Sequence, residues 1–479
     1  MGRKGSGKTY FIRRVRDEAL NGPSANFVTT VQEEPPSTEL VVLFTRRWDS
    51  PSSAISKWAD LWTIAILSSV ASHAARNEAL SRHIPDRGLI DLIEKEFSYL
   101  FATRQYRPCD ACEQVQHLLS DRRQRIDILL TSNIAQDLRY RVQQLLANAP
   151  PAYFFIDGMD NFFDQAPYHW LLCQRGLLQA VRSVLTMPHI GGKLHVSVAL
   201  RDVIWSSAKS GSEHSLRFID PTYTRVLEWN SDAARYFLEQ KLQRLDSRWF
   251  KRFDKGNRSV ANWIGIDVVH NLRYGKREPV VDYLLRHTRF LPRDIVVIGN
   301  SLCERLAGIS SDDISAIASE VRDTVSYCAK LFGQEQIQIC AAELVSHLMP
   351  AKSTGRGEVA SFVESPDLTS AVAERINVFL HDNVGGIRLS KNEFDQLAEK
   401  WREFTASEYS VSSVDLRDLL WRNRLLGYRS RSNGRDLFFS DREIGSRIPT
   451  ATEYVFHPIL TDTLDLAANG DSPVVPSCE

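Results

Sequence analysis

The sequence lacks net charge: 59 Lys and Arg residues balance 59 Asp and Glu residues over 479 positions. The chain as a whole is therefore not an electrostatic nucleic-acid binder, and any such contact has to come from a local basic patch. It also lacks an apolar run of the ~18 residues needed to cross a bilayer. The longest candidate, WADLWTIAILSSVASHAA at 58–75, contains Asp60, several serines and His73, and reads as a buried helix. The start is basic but has no apolar h-region, so no signal peptide is expected. Cysteine is sparse. Seven scattered cysteines suit a reducing cytosol rather than a disulfide framework. Cys109 and Cys112 form C-D-A-C with His117 nearby, but no second ligand pair follows at zinc spacing. Two thiols in a helical insert is the preferred reading there, with a metal site the lesser alternative.

What is present is an ordinary globular composition, 43% hydrophobic and 25% charged, long enough for two to four domains. Its most specific feature is at the front. Gly2 to Thr9 read G-R-K-G-S-G-K-T, a full phosphate-loop pattern. Glycines let backbone N–H groups curl around phosphate oxygens, and the following helix aims its N-terminal dipole at them. Gly2, Lys4, Gly5, Ser6, Gly7, Lys8, Thr9 and Tyr10 are the expected nucleotide-binding run. Lys8 is expected on the β/γ-phosphates and the Thr9 hydroxyl on Mg²⁺. Apolar residues at 11, 12, 15, 19 and 20 give helical spacing, and Asn21-Gly22-Pro23 ends the helix.

A phosphate loop normally follows a buried strand, yet only Met1 precedes Gly2. Burying about three strand side chains, at ~1.5–3 kcal/mol each, rivals the stability of a whole domain. The expectation is that Met1 is an internal start or truncation, with a strand upstream; a strand supplied by a partner chain is the second option.

A metal-binding acid should end another buried strand. PPAYFFIDGMDNFF at 150–163 supplies it: an apolar run from Ala152 to Ile156, then Asp157. Asp157 is the expected Mg²⁺ carboxylate, acting through water. Asp160 is the candidate for orienting or deprotonating an attacking water. A third strand, Leu194 to Leu200, leads to Arg201, a candidate γ-phosphate sensor. An apolar helix at 170–185 joins these two strands, and TELVVLFTRRW at 38–48 reads as a further buried strand. No [NT]-K-x-D guanine-reading motif follows, which disfavours a GTPase, and no adenine pocket is legible.

Together, G-R-K-G-S-G-K-T, F-F-I-D-G-M-D and V-A-L-R-D resemble bacterial P-loop ATPases of the STAND class and the related origin-recognition-like AAA+ proteins, within the ASCE P-loop NTPases. Two further stretches fit the resemblance. RVLEWNSDAARYFLEQKLQRL at 225–245 is similar to a first lid helix, and TRFLPRDIVVIGNSLCERL at 288–306 to the lid helix near a second sensor. The resemblance implies that Arg293 faces the nucleotide, and that the chain is a cytoplasmic signalling, defence or DNA-associated ATPase. It covers roughly residues 1–310.

The remainder reads as helices over 310–350, a Pro/Gly/charge-rich linker from 350, and a last domain of its own. SSVDLRDLLWRNRLLG at 412–427 has a serine cap, helical spacing and a glycine stop. Asn433-Gly434 then sits between two strand-like pieces, a hairpin signal, and EYVFHPIL adds a strand. Helix then hairpin is the pattern of a winged helix. Eight arginines face four acids between 417 and 447, with Arg429, Arg431 and Arg435 beside the hairpin tip. Both DNA contact and protein docking suit that tip.

The expected fold is α/β: a P-loop NTPase parallel-sheet core at 1–222 lacking its N-terminal strand, a helical lid at 223–349, a linker at 350–360 and an α+β winged-helix-like domain at 361–479. The expected function is Mg-dependent ATP hydrolysis driving a conformational switch. Lys8, Asp157, Asp160, Arg201 and Arg293 carry the chemistry, and a protein partner or homo-oligomer is involved. The alternative is a nucleotide-dependent interaction scaffold with negligible turnover.

Overall fold

In a computed structural model, the structure describes residues 2, 4–22, 27–84, 87–97, 110–121, 126–188, 190, 192–204, 207, 224–252, 256–273, 275–347, 368–409, 414–430, 436–438 and 448–466. The protein is mixed α/β and mostly helical, with one small parallel sheet and small antiparallel sheets. Among the described residues no helix is long and apolar enough to cross a membrane. The chain divides into two compact units. Described residues among Met1–Gly2 and Lys8–Arg225 form the first, and those among Arg3–Gly7, Val226–Thr354 and Asp367–Glu479 the second. The proposed linker from 350 lies outside the described residues.

The first unit is organised on a three-stranded parallel sheet. Helix α1 (Lys8–Leu20) precedes strand β1 (Val28–Gln32). Strand β2 (Ala152–Ile156) lies in the middle, and β3 (Leu194–Val198) pairs with its other side. The registers are parallel: Val31 faces Phe155 across β1–β2, and Ile156 faces Val198 across β2–β3. The side chains of β2 are buried apart from partly buried Tyr153, as expected for a central strand covered on both faces. Ile12 of α1 packs on Phe155 and Ala199, with Val15 and Ala19 alongside. This is the i, i+3, i+7 stripe of an amphipathic helix. Phe11 and Tyr10 fall off that stripe and are exposed.

Between β1 and β2 the chain inserts a helical layer. It includes α2 (Thr38–Thr45), α3 (Pro51–Arg76), α4 (Gly88–Glu96), α5 (Ala111–Asp121) and α6 (Asn133–Asn148). Helix α7 (Pro167–Leu185) then connects β2 to β3. Helix α3 is buried nearly all round from Trp58 to Ala74. It is capped by Ser50, whose side chain accepts from the Ser53 N–H at 3.1 Å. Helices α3 and α7 cross at Gly176, where a Cβ would lie 2.3 Å from Trp58 Cβ. Only a residue without a Cβ permits that approach.

The structure corrects one strand expectation. Residues 38–48 do not form a strand; Thr38–Thr45 is helix α2. Its buried positions are Leu40, Val41, Phe44 and Thr45, which is helical spacing, and Leu43 is exposed. A short continuous apolar run fits either structure by itself. The strand on that side of β2 is V-T-T-V-Q at 28–32, hidden because three of its five residues are polar and do not alternate with the valines.

The second unit has one continuous hydrophobic core, from Ala234 to Leu466. Its helices include α8 (Ser231–Arg244), α9 (Val280–Arg286), α10 (Pro292–Leu306) and the long α11 (Ile314–His347). A two-stranded antiparallel ribbon, β4 (Val268–Asn271) with β5 (Lys276–Pro279), precedes α9. Further along come α12 (Leu368–Asn383), β6 (Arg388–Ser390), α13 (Lys391–Tyr409) and α14 (Leu416–Arg422). The end of the chain forms β7 (Leu426–Arg429), β8 (Asp436–Phe438), β9 (Glu453–Phe456) and α15 (Pro458–Thr463).

The last sheet is antiparallel in the order β6-β9-β7-β8. Strand β7 pairs antiparallel with β8, Arg429 opposite Asp436, and the expected Asn433-Gly434 turn lies outside the described residues. The cap of α14 is corrected. It is Asp415, not a serine: its carboxylate accepts from the Arg417 N–H at 2.7 Å and more weakly from Asp418.

Candidate functional site

In the first unit the site is built where α1 begins and β2 and β3 end. Gly7 has φ +90°, a conformation L-residues rarely adopt, and it delivers the chain into α1 at Lys8. Lys8 is largely buried, at 9% exposure. Its Nζ donates to Gly2 O at 3.1 Å and lies 3.3 Å from Asp160 Oδ2. Gly2 in turn donates its N–H to Leu200 O at 3.2 Å, just beyond β3. Thr9 and Tyr10 are exposed on the first turn of the helix.

Asp157 follows β2 directly and is 3% exposed. Its N–H donates to Gln32 O at 2.7 Å, tying the ends of β1 and β2 together. Gly158 then has φ +73°, and a Cβ there would lie 2.3 Å from Glu33 O. This turn needs glycine on both counts, and it carries the chain round to Asp160. The D-G-x-D spacing thus places one carboxylate at the strand end and a second beside Lys8.

Arg201, 3% exposed beyond β3, completes a buried charge cluster. Its Nε donates to Asp160 Oδ2 at 3.3 Å, its Nη2 to Asp160 O at 3.3 Å and its Nη1 to Asp164 Oδ1 at 3.4 Å. The guanidinium lies 5.1 Å from the centre of the Phe163 ring. Burial alone would raise the Asp160 carboxyl; Lys8 and Arg201 outweigh it and hold the group below its ordinary value. Asp160 is therefore a firmly ionised carboxylate shared by two cations.

The remaining loop residues belong to the second unit, as does Arg293. Lys4 Nζ lies 3.7 Å from Glu335 Oε1, and Ser6 O accepts from the Trp229 indole N–H at 2.9 Å. Arg293, on the first turn of α10, donates to Glu335 Oε1 at 2.8 Å. Glu335 also accepts from Arg289 Nη2 at 3.0 Å. Arg289 itself is fully enclosed and is held by both oxygens of Asp294 and by Gln336.

The structure thus brings Lys8, Asp160 and Arg201 together, and sets Asp157 at the strand end. Arg293 rests on a carboxylate. Sequence reasoning missed Asp164, Glu335 and Trp229. Asp164 had a weak signal, four residues after Asp160; the other two had none. At the far end of the chain, Arg429 Nη1 lies 3.6 Å from Glu453 Oε2. Arg431 and Arg435 lie outside the described residues, as does Cys109. Cys112 is buried in α5 and His117 sits 3.9 Å from Glu113.

Comparison with known protein families finds no matching family, and searches of curated proteins and of solved structures find no match.

Proposed function

We propose that this protein binds a nucleoside triphosphate, ATP by the resemblance of its motifs, and hydrolyses it to drive a conformational switch. One observation carries the reading: the phosphate-loop lysine, Lys8, is buried beside Asp160 and Arg201 at the sheet's C-terminal edge. In open α/β sheets ligands bind at that edge, at strand ends and helix N-termini. This reading makes the first unit a P-loop NTPase core. It makes the helices after residue 225 a lid, and the α14–β7–β8 element a winged helix.

The Thr9 hydroxyl and the Asp157 carboxylate are hard oxygen donors of the kind Mg²⁺ takes alongside phosphate oxygens. They fit that ion, and are the residues that would hold it. Magnesium would supply charge neutralisation on the terminal phosphates. Lys8 exchanges Asp160 for a phosphate oxygen when the triphosphate arrives. Asp160, relieved of Lys8 and still held by Arg201, then aligns a water and takes its proton, and Arg201 also stabilises the charge on the transferring group. The water oxygen bonds to the γ-phosphorus, the bond to the β-phosphate oxygen breaks, and ADP and inorganic phosphate leave.

A second reading has its own observation. Asp160 is locked by two cations at 3.3 Å each, which suits a protein that binds nucleotide and turns it over negligibly. Steady-state hydrolysis separates the two. Turnover by the wild type that Lys8→Ala and Asp160→Asn both abolish supports the ATPase. Binding by the wild type that Lys8→Ala weakens, with no turnover in any of the three, supports the scaffold. Duplex DNA added to the same assay tests the hairpin, since a DNA reader at that tip would change the rate in a salt-dependent way.

A further inference from the structure

Arg201 divides its guanidinium between two carboxylate residues, both in the first unit with it. Two of its nitrogens serve Asp160: Nε donates to Oδ2 at 3.3 Å and Nη2 to the main-chain O at 3.3 Å. The third, Nη1, donates to Asp164 Oδ1 at 3.4 Å. The buried Phe163 ring, 5.1 Å from the guanidinium carbon, walls the group on one side. The Phe163 N–H also donates to Asp160 O at 3.4 Å. The turn that carries Asp164 is thus tied to the same carbonyl as Arg201.

The two acids do not hold Arg201 equally. The Asp164 side chain is 42% exposed, against 13% for Asp160 and 4% for Arg201. Asp164 can therefore turn into water and regain its solvation, at the small cost of an exposed ion pair. Asp160 could leave only by baring a buried carboxylate and a buried guanidinium, which is expensive. The guanidinium is planar and its N–H donors point in fixed directions. A group that meets Arg201 without displacing Asp160 has to arrive at Nη1, the nitrogen that Asp160 does not hold. Asp164 stands at that position.

We infer that Asp164 is the carboxylate that the terminal phosphate of a nucleoside triphosphate displaces from Arg201, so that it sets the preference for triphosphate over diphosphate. This rests on the nucleotide-binding reading above. In the empty site Asp164 neutralises the third limb of the guanidinium. With triphosphate bound, a phosphate oxygen takes its place, while Asp160 keeps its two bonds to Arg201. The exchange leaves no buried charge alone. A diphosphate brings no phosphate to Nη1 and leaves Asp164 in place. The carboxylate thus competes with ATP and is indifferent to ADP.

The test is equilibrium binding to the full chain of Mg-ADP and of the Mg complex of a β,γ-imido ATP analogue, which is not hydrolysed. Wild type is compared with Asp164→Asn, Asp164→Glu, Arg201→Gln and the double variant Asp164→Asn, Arg201→Gln. Asp164→Asn should raise the preference for the analogue over ADP by about two- to fivefold, the effect of one partly exposed ion pair, with ADP affinity kept. Asp164→Glu, which restores the charge, should return the preference close to that of wild type. In the Arg201→Gln background Asp164→Asn should have little effect. A preference that Asp164→Asn leaves unchanged or lowers, while wild type binds the analogue, overturns the inference and leaves the nucleotide reading standing. A lowered preference would mean that Asp164 orients Arg201 rather than competing for it. A gain that persists without Arg201, or that Asp164→Glu reproduces, also overturns it. If Asp164→Asn does not fold, Asp164→Ser takes its place with the same expectation. Failure of the wild type to bind either nucleotide, with Lys8→Ala indistinguishable from it, removes the nucleotide reading and this inference with it.

Discussion

Replacing Asp160 by Asn removes a carboxylate that Lys8 and Arg201 share. All three side chains are mostly buried, so solvent screens the cluster poorly. Breaking a buried ion pair from one side costs about 3–5 kcal/mol. Two features reduce that figure here. The asparagine oxygen still accepts a hydrogen bond, and Arg201 keeps Asp164 at 3.4 Å. A loss of about 2–4 kcal/mol is therefore expected. For a unit of roughly 200 residues this is a fall of about 5–12 °C in the melting transition of the first unit. The assay is a thermal melt at neutral pH and low salt, repeated with Mg-ATP. Nucleotide should stabilise the variant more than the wild type, because Lys8 no longer has to be drawn from a carboxylate. A variant that melts within about a degree of wild type would refute the idea that this cluster carries stability. Equal stabilisation by nucleotide would refute the exchange of Asp160 for phosphate.

Other outcomes follow from the same geometry. Gly176→Ala should destabilise the first unit by about 1–3 kcal/mol, since the new Cβ would sit 2.3 Å from Trp58 Cβ in a dense helix crossing; an unchanged melt would contradict that crossing. His169 is buried with neither ring nitrogen hydrogen-bonded among the described residues, and burial, aided by Arg46, pushes it down to about 4. Its folded value lies below the unfolded one, so the stability of the neutral ring is complete above pH ~6.5 and is lost as pH falls toward 4, by roughly 3 kcal/mol over that window. His169→Phe cannot take up the proton, so its melting point should fall less between pH 7 and 4.5 than that of wild type; equal falls would refute the assignment. In the second unit, Asp294→Asn leaves Arg289 enclosed with half of its charge partners, and should cost about 3 kcal/mol in denaturant unfolding. A loss under about 1 kcal/mol would show that Gln336 and Glu335 suffice.

The parts legible in the sequence were those fixed by local chemistry. The glycine-rich run at 2–7 announces the turn before α1 because glycine accepts φ near +90° at residue 7. Ala152 to Ile156 announces a central strand because five consecutive largely apolar residues before an Asp-Gly turn fit little else. The stretch from Leu40 to Phe44 misled because five apolar residues fit a strand and a helix equally. Tertiary packing against the helical layer decided the matter. Strand β1 was hidden by its threonines, and gains its place by pairing with β2. Lys8 and Asp157 could be singled out from the sequence pattern, but the pairing of Asp160 with both Lys8 and Arg201 depends on three elements meeting. Glu335 was invisible for the same reason. It lies mid-helix in α11 more than 300 residues from Lys4, and nothing in its neighbours marks it.

The most direct measurement is calorimetric titration of Mg-ATP into the purified chain and into its Lys8→Ala variant. The account predicts saturable binding by the wild type, at one nucleotide per chain, that weakens by at least tenfold when Lys8 is removed. Absence of binding in the wild type, or binding of equal strength in the variant, would contradict a phosphate site at Lys8.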